Sequence, residues 1–340
     1  SLTGASRWNE PCVPVYTTGT SIDTGGQPRE SLRTVYGRID QDIDRAIELL
    51  EKARETTLAE NNKSHINLYV ALGIKSRACL AEGDWDGAFK AAKRVIDEGG
   101  YAVGTKSDLT GGMNSLDKQN VMWGAGIQVA DQAGGYAGFF THMDNKEGAY
   151  AKSAPKLISK QLYNRISATD IRRDWWDPSD KESPYVSKKF SFANVASFLG
   201  DYIYMRVEEM YFTAAEAALR LDDLKSAREL MNTVMAERDP GYSANNRSGT
   251  LLGATTTTWT GSFLENILTH RRIELWGEYG RLFDVRRLGQ GIDRRTDDGF
   301  SEECISMMNR RNVNITKADT YDWVLTIPKA ELDANPNINE

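Results

Sequence analysis

The densest group of side chains that could do chemistry lies in residues 270–289, HRRIELWGEYGRLFDVRRLG, which hold five arginines and three acids among aromatic residues. Any two of Glu274, Glu278 and Asp284 could form the carboxylate pair of a glycosidase, whose carboxyl groups stand about 5 to 9.5 Å apart. A nucleic-acid surface would leave these acids unexplained. Paired charges account for both signs, so we favour a structural ion-pair network over a ligand contact or a catalytic pair.

A helix must position these charges if they pair along one face. Ser262 and Glu265 have the S-x-x-E spacing of a capping box, so the sequence predicts a helix that begins here and runs through Tyr279 to Gly280. Two pairs of opposite charge are then spaced i,i+3: Arg271 with Glu274, and Glu278 with Arg281. Opposite charges can therefore pair along this helix.

The composition of the whole chain excludes several classes of function. With 340 residues and a formal net charge of -6, the protein lacks the dominant basic surface of a nucleic-acid binder. No apolar run approaches the roughly 18 residues of a membrane-spanning helix. The three cysteines and three histidines are too scattered to indicate a disulfide framework or a metal site. The sequence predicts no metal, no cofactor and no catalytic residue.

Helical repeats supply the framework. Residues 31–54 carry an apolar stripe at spacings of three and four, a second helical run follows Ser64, and a third spans Asp84 to Glu98. Residues 78–98 align without gaps on residues 217–237, with small residues at matching positions. Such helix pairs resemble tetratricopeptide units, which bury their apolar faces by stacking on neighbours. We assign residues 31–99 and 203–239 to helical repeat regions.

The chain between these regions differs in character. Residues 100–200 read as an inserted, loop-rich region, with a short extended segment in VMWGAGIQVA and helical character in APKLISKQLYNRI, residues 154–166. The fold class predicted for residues 1–340 is one mostly α domain, built from tetratricopeptide-like helix pairs with long loop insertions and little β structure.

Six segments in order resemble the SusD/RagB family of outer-membrane nutrient-binding lipoproteins. In chain order they are PCVPVYT, SHINLYVALGIKSRACLAEGDWDGAFKAAKRVIDEGGY, LYNRISATDIRRD, YIYMRVEEMYFTAAEAALRL, RRIELWGEYGRLFDVRRLG and TIPKAELDANPNINE. The resemblance covers nearly the whole chain. It implies a non-catalytic protein that captures glycans, or peptides in some members, at the cell surface and delivers them to a SusC-like TonB-dependent transporter.

Family members normally carry a signal peptide, a lipidated cysteine and further helices ahead of the segment that matches PCVPVYT. The resemblance thus implies membrane attachment through a lipid anchor that is not present in this sequence, and an N-terminal part that is missing from it. Cys12 lacks the small and apolar residues that precede a lipidated cysteine, so we do not assign it that role.

The glycine-rich and aromatic loop QVADQAGGYAGFFTHMDN is the first candidate for a sugar site, because sugars bind flat aromatic faces with polar partners at the rim. Its aromatic platform would be Tyr136, Phe139 and Phe140. Its polar contacts would come from Gln128, His142, Asp144 and Asn145. In the competing interpretation, the two phenylalanines pack the loop onto the helical core.

Three tryptophans are further candidates for ligand stacking: Trp176, Trp259 and Trp8. Trp175 and Trp176 are adjacent, so on extended backbone they point in opposite directions and at most one is expected to be buried. We predict an oligosaccharide-binding protein. The alternatives are a peptide-binding surface component or a helical interaction scaffold, in which Tyr136 and Trp259 would be packed, and a glycoside hydrolase that uses Glu274 or Glu278.

Overall fold

Helices make up most of the regular structure, and the strands are short. The computed structural model describes residues 7–21, 23–56, 62–129, 137–245, 261–290, 292–293, 314–315 and 326–338. Its helices are α1 (Leu32–Thr56), α2 (Leu68–Glu82), α3 (Trp85–Glu98), α4 (Lys106–Leu109), α5 (Phe139–Met143), α6 (Ala149–Ser153), α7 (Lys160–Tyr163), α8 (Val207–Arg220), α9 (Leu224–Ala236), α10 (Phe263–Glu274), α11 (Arg281–Arg287) and α12 (Lys329–Ala334). The predicted mostly α fold class is confirmed.

The strands form three two-stranded antiparallel ribbons. They are β1 (Val121–Ala125) with β4 (Tyr202–Arg206), β2 (Trp176–Asp177) with β3 (Val186–Ser187), and β5 (Ile292–Asp293) with β6 (Asn314–Ile315). A 3₁₀ turn, Ile171–Trp175, leads directly into β2. Within the described ranges, no helix has the length and apolar character needed to cross a membrane.

Two helix pairs stack on each other although they are far apart in the chain. Helix α2 packs against α3, α3 packs against α8, and α8 packs against α9. Asp84 and Asp223 cap α3 and α9 at equivalent positions of the repeat. Alanines at the contacts, including Ala88 and Ala217, are fully buried and let the helices approach closely. The chain between α3 and α8 therefore leaves the stack and returns to it.

Two predicted helices are shorter than the sequence indicated. The helix capped by Ser262 ends at Glu274 rather than at Gly280, because Gly277 and Gly280 adopt positive φ angles of 76° and 117°. A side chain at position 277 would also collide with the Phe190 ring. In residues 154–166 only α7 is helical, since this segment pairs instead with β3 through a bridge at Leu157.

A second hydrophobic core lies under the inserted region, beside the core of the helix stack. It contains both Trp175 and Trp176, which are 3% and 1% exposed, so the expectation that at most one is buried is wrong. The 3₁₀ turn ends between them and sets their rings at 73° to each other. The Lys189 ammonium then covers Trp175 and the Trp276 ring covers Trp176.

A buried carboxylate joins the two cores. Glu274, with no exposed surface, accepts hydrogen bonds from Arg206 at 3.0 Å, from Arg238 at 2.9 and 3.0 Å, and from Arg172 at 3.2 Å. Burial raises the pKa of this carboxyl, but the three guanidiniums outweigh it and hold the pKa well below its ordinary value. The predicted ion-pair network is confirmed.

The partners within this network differ from the predicted ones. Arg271 pairs with Asp284 at 3.0 Å rather than with Glu274, and Glu278 pairs with Arg206 at 2.8 Å. The prediction of local i,i+3 pairs is wrong for two reasons. Helix α10 ends at Glu274, which removes the helical register between Glu278 and Arg281, and Arg271, although it lies within α10, pairs with Asp284 instead. Long-range partners replace the local ones.

We expect Glu274→Gln to lower the free energy of unfolding by about 3 kcal/mol, because the amide leaves buried guanidiniums without their counter-charge. Urea denaturation would measure the change. The matched control is Glu48→Gln, which removes an exposed pair with Arg45 and should cost less than about 1 kcal/mol. Equal effects of the two substitutions would contradict a dominant role for the buried carboxylate.

Glu82 is the last residue of α2, and its side chain is half-buried. Its Oε1 atom is buried and has no hydrogen-bond partner among the described residues. Burial, together with the nearby charges of Asp40 and Asp84, raises its pKa from 4.5 to about 7. The fold thus favours the protonated form of this side chain. The corresponding stability is present below pH 4.5 and is lost as the pH rises through about 7.

We expect Glu82→Gln to raise the melting temperature at pH 8 and to change it little at pH 5, since the amide stays neutral at both values. Thermal unfolding followed by circular dichroism at the two pH values would measure this. Glu229→Gln, at an exposed position of α9, serves as the control and should show no such pH dependence. A gain at pH 5 equal to that at pH 8 would exclude an ionised Glu82 as the cause.

Candidate ligand-binding site

A cavity of about 530 Å³ lies between the β1–β4 ribbon, helix α2 and the turn that joins α10 to α11. Its volume is within the range of small-molecule sites. The residues that line it are Arg77, Met113, Trp123, Phe139, Phe190, Tyr202, Ile203, Tyr204, Gly277, Glu278 and Tyr279. Aromatic rings form most of its wall, so we call it the aromatic cavity.

The β1–β4 ribbon supplies one wall. Trp123 stands opposite Met205 in an irregular register, and its ring meets the Tyr204 ring edge to face at 5.1 Å. Tyr202, Ile203 and Tyr204 all line the cavity, at the part of β4 where its register with β1 is irregular. Tyr204 remains 39% exposed. The next residue but one, Arg206, is buried against Glu274, so the ion-pair network fixes the end of this strand.

Helix α2 supplies the opposite wall through Arg77. Its guanidinium donates to both carboxylate oxygens of Glu209, at 2.8 and 2.6 Å, and to the Tyr204 carbonyl oxygen at 2.7 Å. It also stacks on the Tyr279 ring, 3.7 Å from the ring centroid. Phe283 stacks in turn on Tyr279 and is 49% exposed. A layered stack of planar groups therefore leads from the cavity to the surface.

Glu278 lies at the cavity with both oxygens engaged. Lys189 donates to Oε1 at 2.5 Å, and Arg206 donates to both oxygens at 2.8 Å. Burial opposes ionisation, but these two cations hold the pKa of Glu278 below its ordinary value. A glycosidase needs one carboxylic acid with a raised pKa to protonate the leaving group. Glu274 and Glu278 both have lowered pKa values, so their environment does not favour the glycosidase interpretation.

The predicted sugar-binding loop contributes one residue, Phe139, to the wall of the aromatic cavity. It leaves β1 shortly after Trp123, where Asp201 accepts the Ile127 backbone N–H at 3.1 Å. The chain returns at Phe139, whose backbone N–H donates to the Tyr202 hydroxyl at 3.3 Å and whose ring lines the cavity. Gln128 is exposed on the outgoing side. Tyr136 and Trp259 lie outside the described residues. That they are packed, as the scaffold alternative expects, therefore stays a prediction.

Three other predicted ligand residues are buried. Phe140 and Trp176 are each 1% exposed, inside the second core. Asp144 is 2% exposed, and its carboxylate accepts backbone N–H groups of the loop that follows it and of Phe192. In this fold these three side chains offer no surface for stacking or for a rim contact, so packing and turn formation account for them.

The remaining candidates are at least partly accessible, yet they engage other groups. The Asn145 amide holds together the backbones at Lys156 and Ser187, each at 2.8 Å. His142 stacks on Tyr150 with ring centroids 4.6 Å apart. Trp8 packs edge to face on Tyr36 at 5.6 Å, with the Arg33 guanidinium over its ring. Of the predicted set, Phe139 alone lines the aromatic cavity as the structure describes it.

Sequence reasoning did not single out Trp123, Tyr202, Tyr204 or Arg77 as ligand residues. A signal for two of them was present, since YIYMR places two tyrosines on one face of a strand. No local signal brings Trp123 beside them, because β1 and β4 are distant in the chain. Tyr279 was read as part of a continuous helix, whereas the turn after Glu274 directs it into the cavity.

Comparison with known proteins agrees with this architecture. The sequence model of the SusD family matches residues 142–340. A SusD-like carbohydrate binding protein from Bacteroides vulgatus is 26% identical, with a TM-score of 0.77 over 96% of this chain and 70% of its own. A SusD superfamily protein from Bacteroides thetaiotaomicron is 23% identical, with a TM-score of 0.76 over 99% of this chain and 72% of its own.

A third structure, surface glycan-binding protein A from Bacteroides uniformis, is 17% identical and has a TM-score of 0.65 over 98% of this chain and 73% of its own. No curated protein sequence matches this chain. The family match covers more than half of the residues. This chain belongs to the SusD family.

Proposed function

We propose that this protein is a non-catalytic binding protein of the bacterial outer surface that captures oligosaccharides at the aromatic cavity. The observation that carries the proposal is the set of rings at Trp123, Tyr204 and Tyr279, which wall one cavity in a member of the SusD family. Aromatic faces bind the C–H faces of sugars. The B. vulgatus relative is a carbohydrate binding protein, and the B. uniformis relative is a surface glycan-binding protein.

The loop that spans residues 128–145 would form the second part of this site. Phe139 belongs to both the loop and the cavity, so a ligand held at the cavity would meet the loop at this residue. Gln128 and His142 would then supply hydrogen bonds at the rim, with Tyr136 as a further ring. Trp8 and Trp259 are proposed as outlying contacts for a longer chain.

We further propose that the bound glycan passes to a SusC-like TonB-dependent transporter, with the protein held at the outer membrane by a lipid anchor. Support for this step comes from membership in the family. We expect the protein, co-expressed with a SusC-like transporter from its own genome, to co-purify with it from detergent-solubilised membranes. Recovery of the transporter without the protein, under conditions where both are made, would contradict the partnership.

We expect oligosaccharides, and not peptides, to produce saturable heat in titration calorimetry with the protein. Tyr204→Ala should weaken that binding by about tenfold, because it removes an exposed ring from the cavity wall. Tyr16→Ala is the matched control, since Tyr16 is also a half-exposed tyrosine but does not line the cavity. Saturable binding of peptides alone would overturn the proposal.

A further inference from the structure

The polar side chains that line the aromatic cavity are largely paired within the protein. Glu278 accepts three hydrogen bonds, from Lys189 and Arg206, and has a lowered pKa. Tyr202 accepts from the backbone N–H of Phe139. The carboxylate that most resembles a sugar-binding group is therefore committed to the ion-pair network and not to a ligand.

Most of the Arg77 guanidinium is also hydrogen-bonded within the protein. Its Nε and Nη2 atoms donate to Glu209 and to the Tyr204 carbonyl oxygen. Among the side chains that line the wall, the polar groups with hydrogen-bonding capacity left for a ligand are the Arg77 Nη1 and the hydroxyls of Tyr202, Tyr204 and Tyr279, and Tyr202 keeps only its donor role. Few directional partners remain in a cavity of about 530 Å³.

The small number of hydrogen-bonding groups left for a ligand favours one kind of chemical group inside the cavity over another. A sugar ring carries several hydroxyls, and each one buried without a partner costs about 1–3 kcal/mol. A hexose seated deep in the cavity would bury several of them. A planar apolar group has no such cost and gains from every aromatic contact.

The arrangement of the rings also suits a planar guest. Trp123 meets Tyr204 at an interplanar angle of 70°, and Phe139 meets Phe190 at 90°, so both pairs are edge to face. Aromatic rings prefer this geometry, and an inserted ring could extend it on either side. The Arg77 guanidinium, already stacked on Tyr279, adds a cation that attracts a ring face.

We infer that the aromatic cavity binds a planar aromatic substituent carried by an oligosaccharide, such as an aryl ester or an aryl glycoside. This inference rests on the proposed function, since it assumes a glycan ligand. The sugar chain itself would lie outside the cavity, against the exposed rings of Tyr204 and Phe283, with its hydroxyls in water. Binding energy would then come from the substituent, and the sugar would set the orientation.

The test compares each sugar of a panel as its phenyl glycoside and as its methyl glycoside, by titration calorimetry with the intact protein. We expect the phenyl form to bind at least about tenfold more tightly, which corresponds to about 1.4 kcal/mol. Tyr204→Ala should reduce this preference, and Trp123→Ala should abolish it. Tyr16→Ala should retain it, since Tyr16 lies outside the cavity wall.

Each outcome separates the two proposals. Equal affinity for phenyl and methyl glycosides would overturn the aryl preference and leave glycan capture standing. A lack of binding by both forms of every sugar would overturn glycan capture itself. Tighter binding of a tryptophan-containing peptide than of any phenyl glycoside would also overturn the inference, and would identify the cavity as a site for peptide side chains. If Trp123→Ala does not fold, the Tyr204→Ala result decides.

Discussion

The contact on which the rest of the structure depends is that of one buried carboxylate with three guanidiniums. Glu274, at the end of α10, meets Arg172 from the 3₁₀ turn, Arg206 from β4 and Arg238 from the end of α9. Each arginine comes from a different part of the chain. A charge in this position cannot be left without its partners, because the desolvation of each ion would then be uncompensated. The cluster therefore fixes how the inserted region sits on the helix stack.

The same cluster determines the shape of the aromatic cavity. Arg206 ends the strand that carries Tyr202 and Tyr204, and it holds Glu278, which precedes Tyr279. A shift of the strand relative to the turn after α10 would break these charged contacts. Rings that wall the cavity are thus positioned by ions that lie behind them. We expect ligand binding to change this wall little, since the network resists small displacements.

Much of the framework follows from local sequence, and the site does not. Periodicity predicts α1 within two residues, and Asp84 and Ser262 cap helices as their spacing indicates. The partners of Glu274 could not be predicted, because opposite charges three residues apart are a plausible local pair. Two glycines with positive φ break the helical register between Glu278 and Arg281. Trp175 is covered by Lys189, which follows the β2–β3 ribbon, and Trp176 is covered by Trp276, which lies far away in the chain.

At the aromatic cavity the acidic residues are paired with cations while the aromatic rings stay accessible, and this contrast favours binding over catalysis. In the segment that first suggested an active site, Glu274, Glu278 and Asp284 are all ionised and paired, and the pKa of Asp284 falls to about 2 because Arg271 and Arg287 outweigh its burial. None is poised to exchange a proton near neutral pH. The rings of Tyr279 and Phe283, in the same segment, keep faces toward the cavity and the solvent. These three carboxylates are therefore poorly suited to proton transfer, whereas the flat apolar rings of the same segment are suited to recognition.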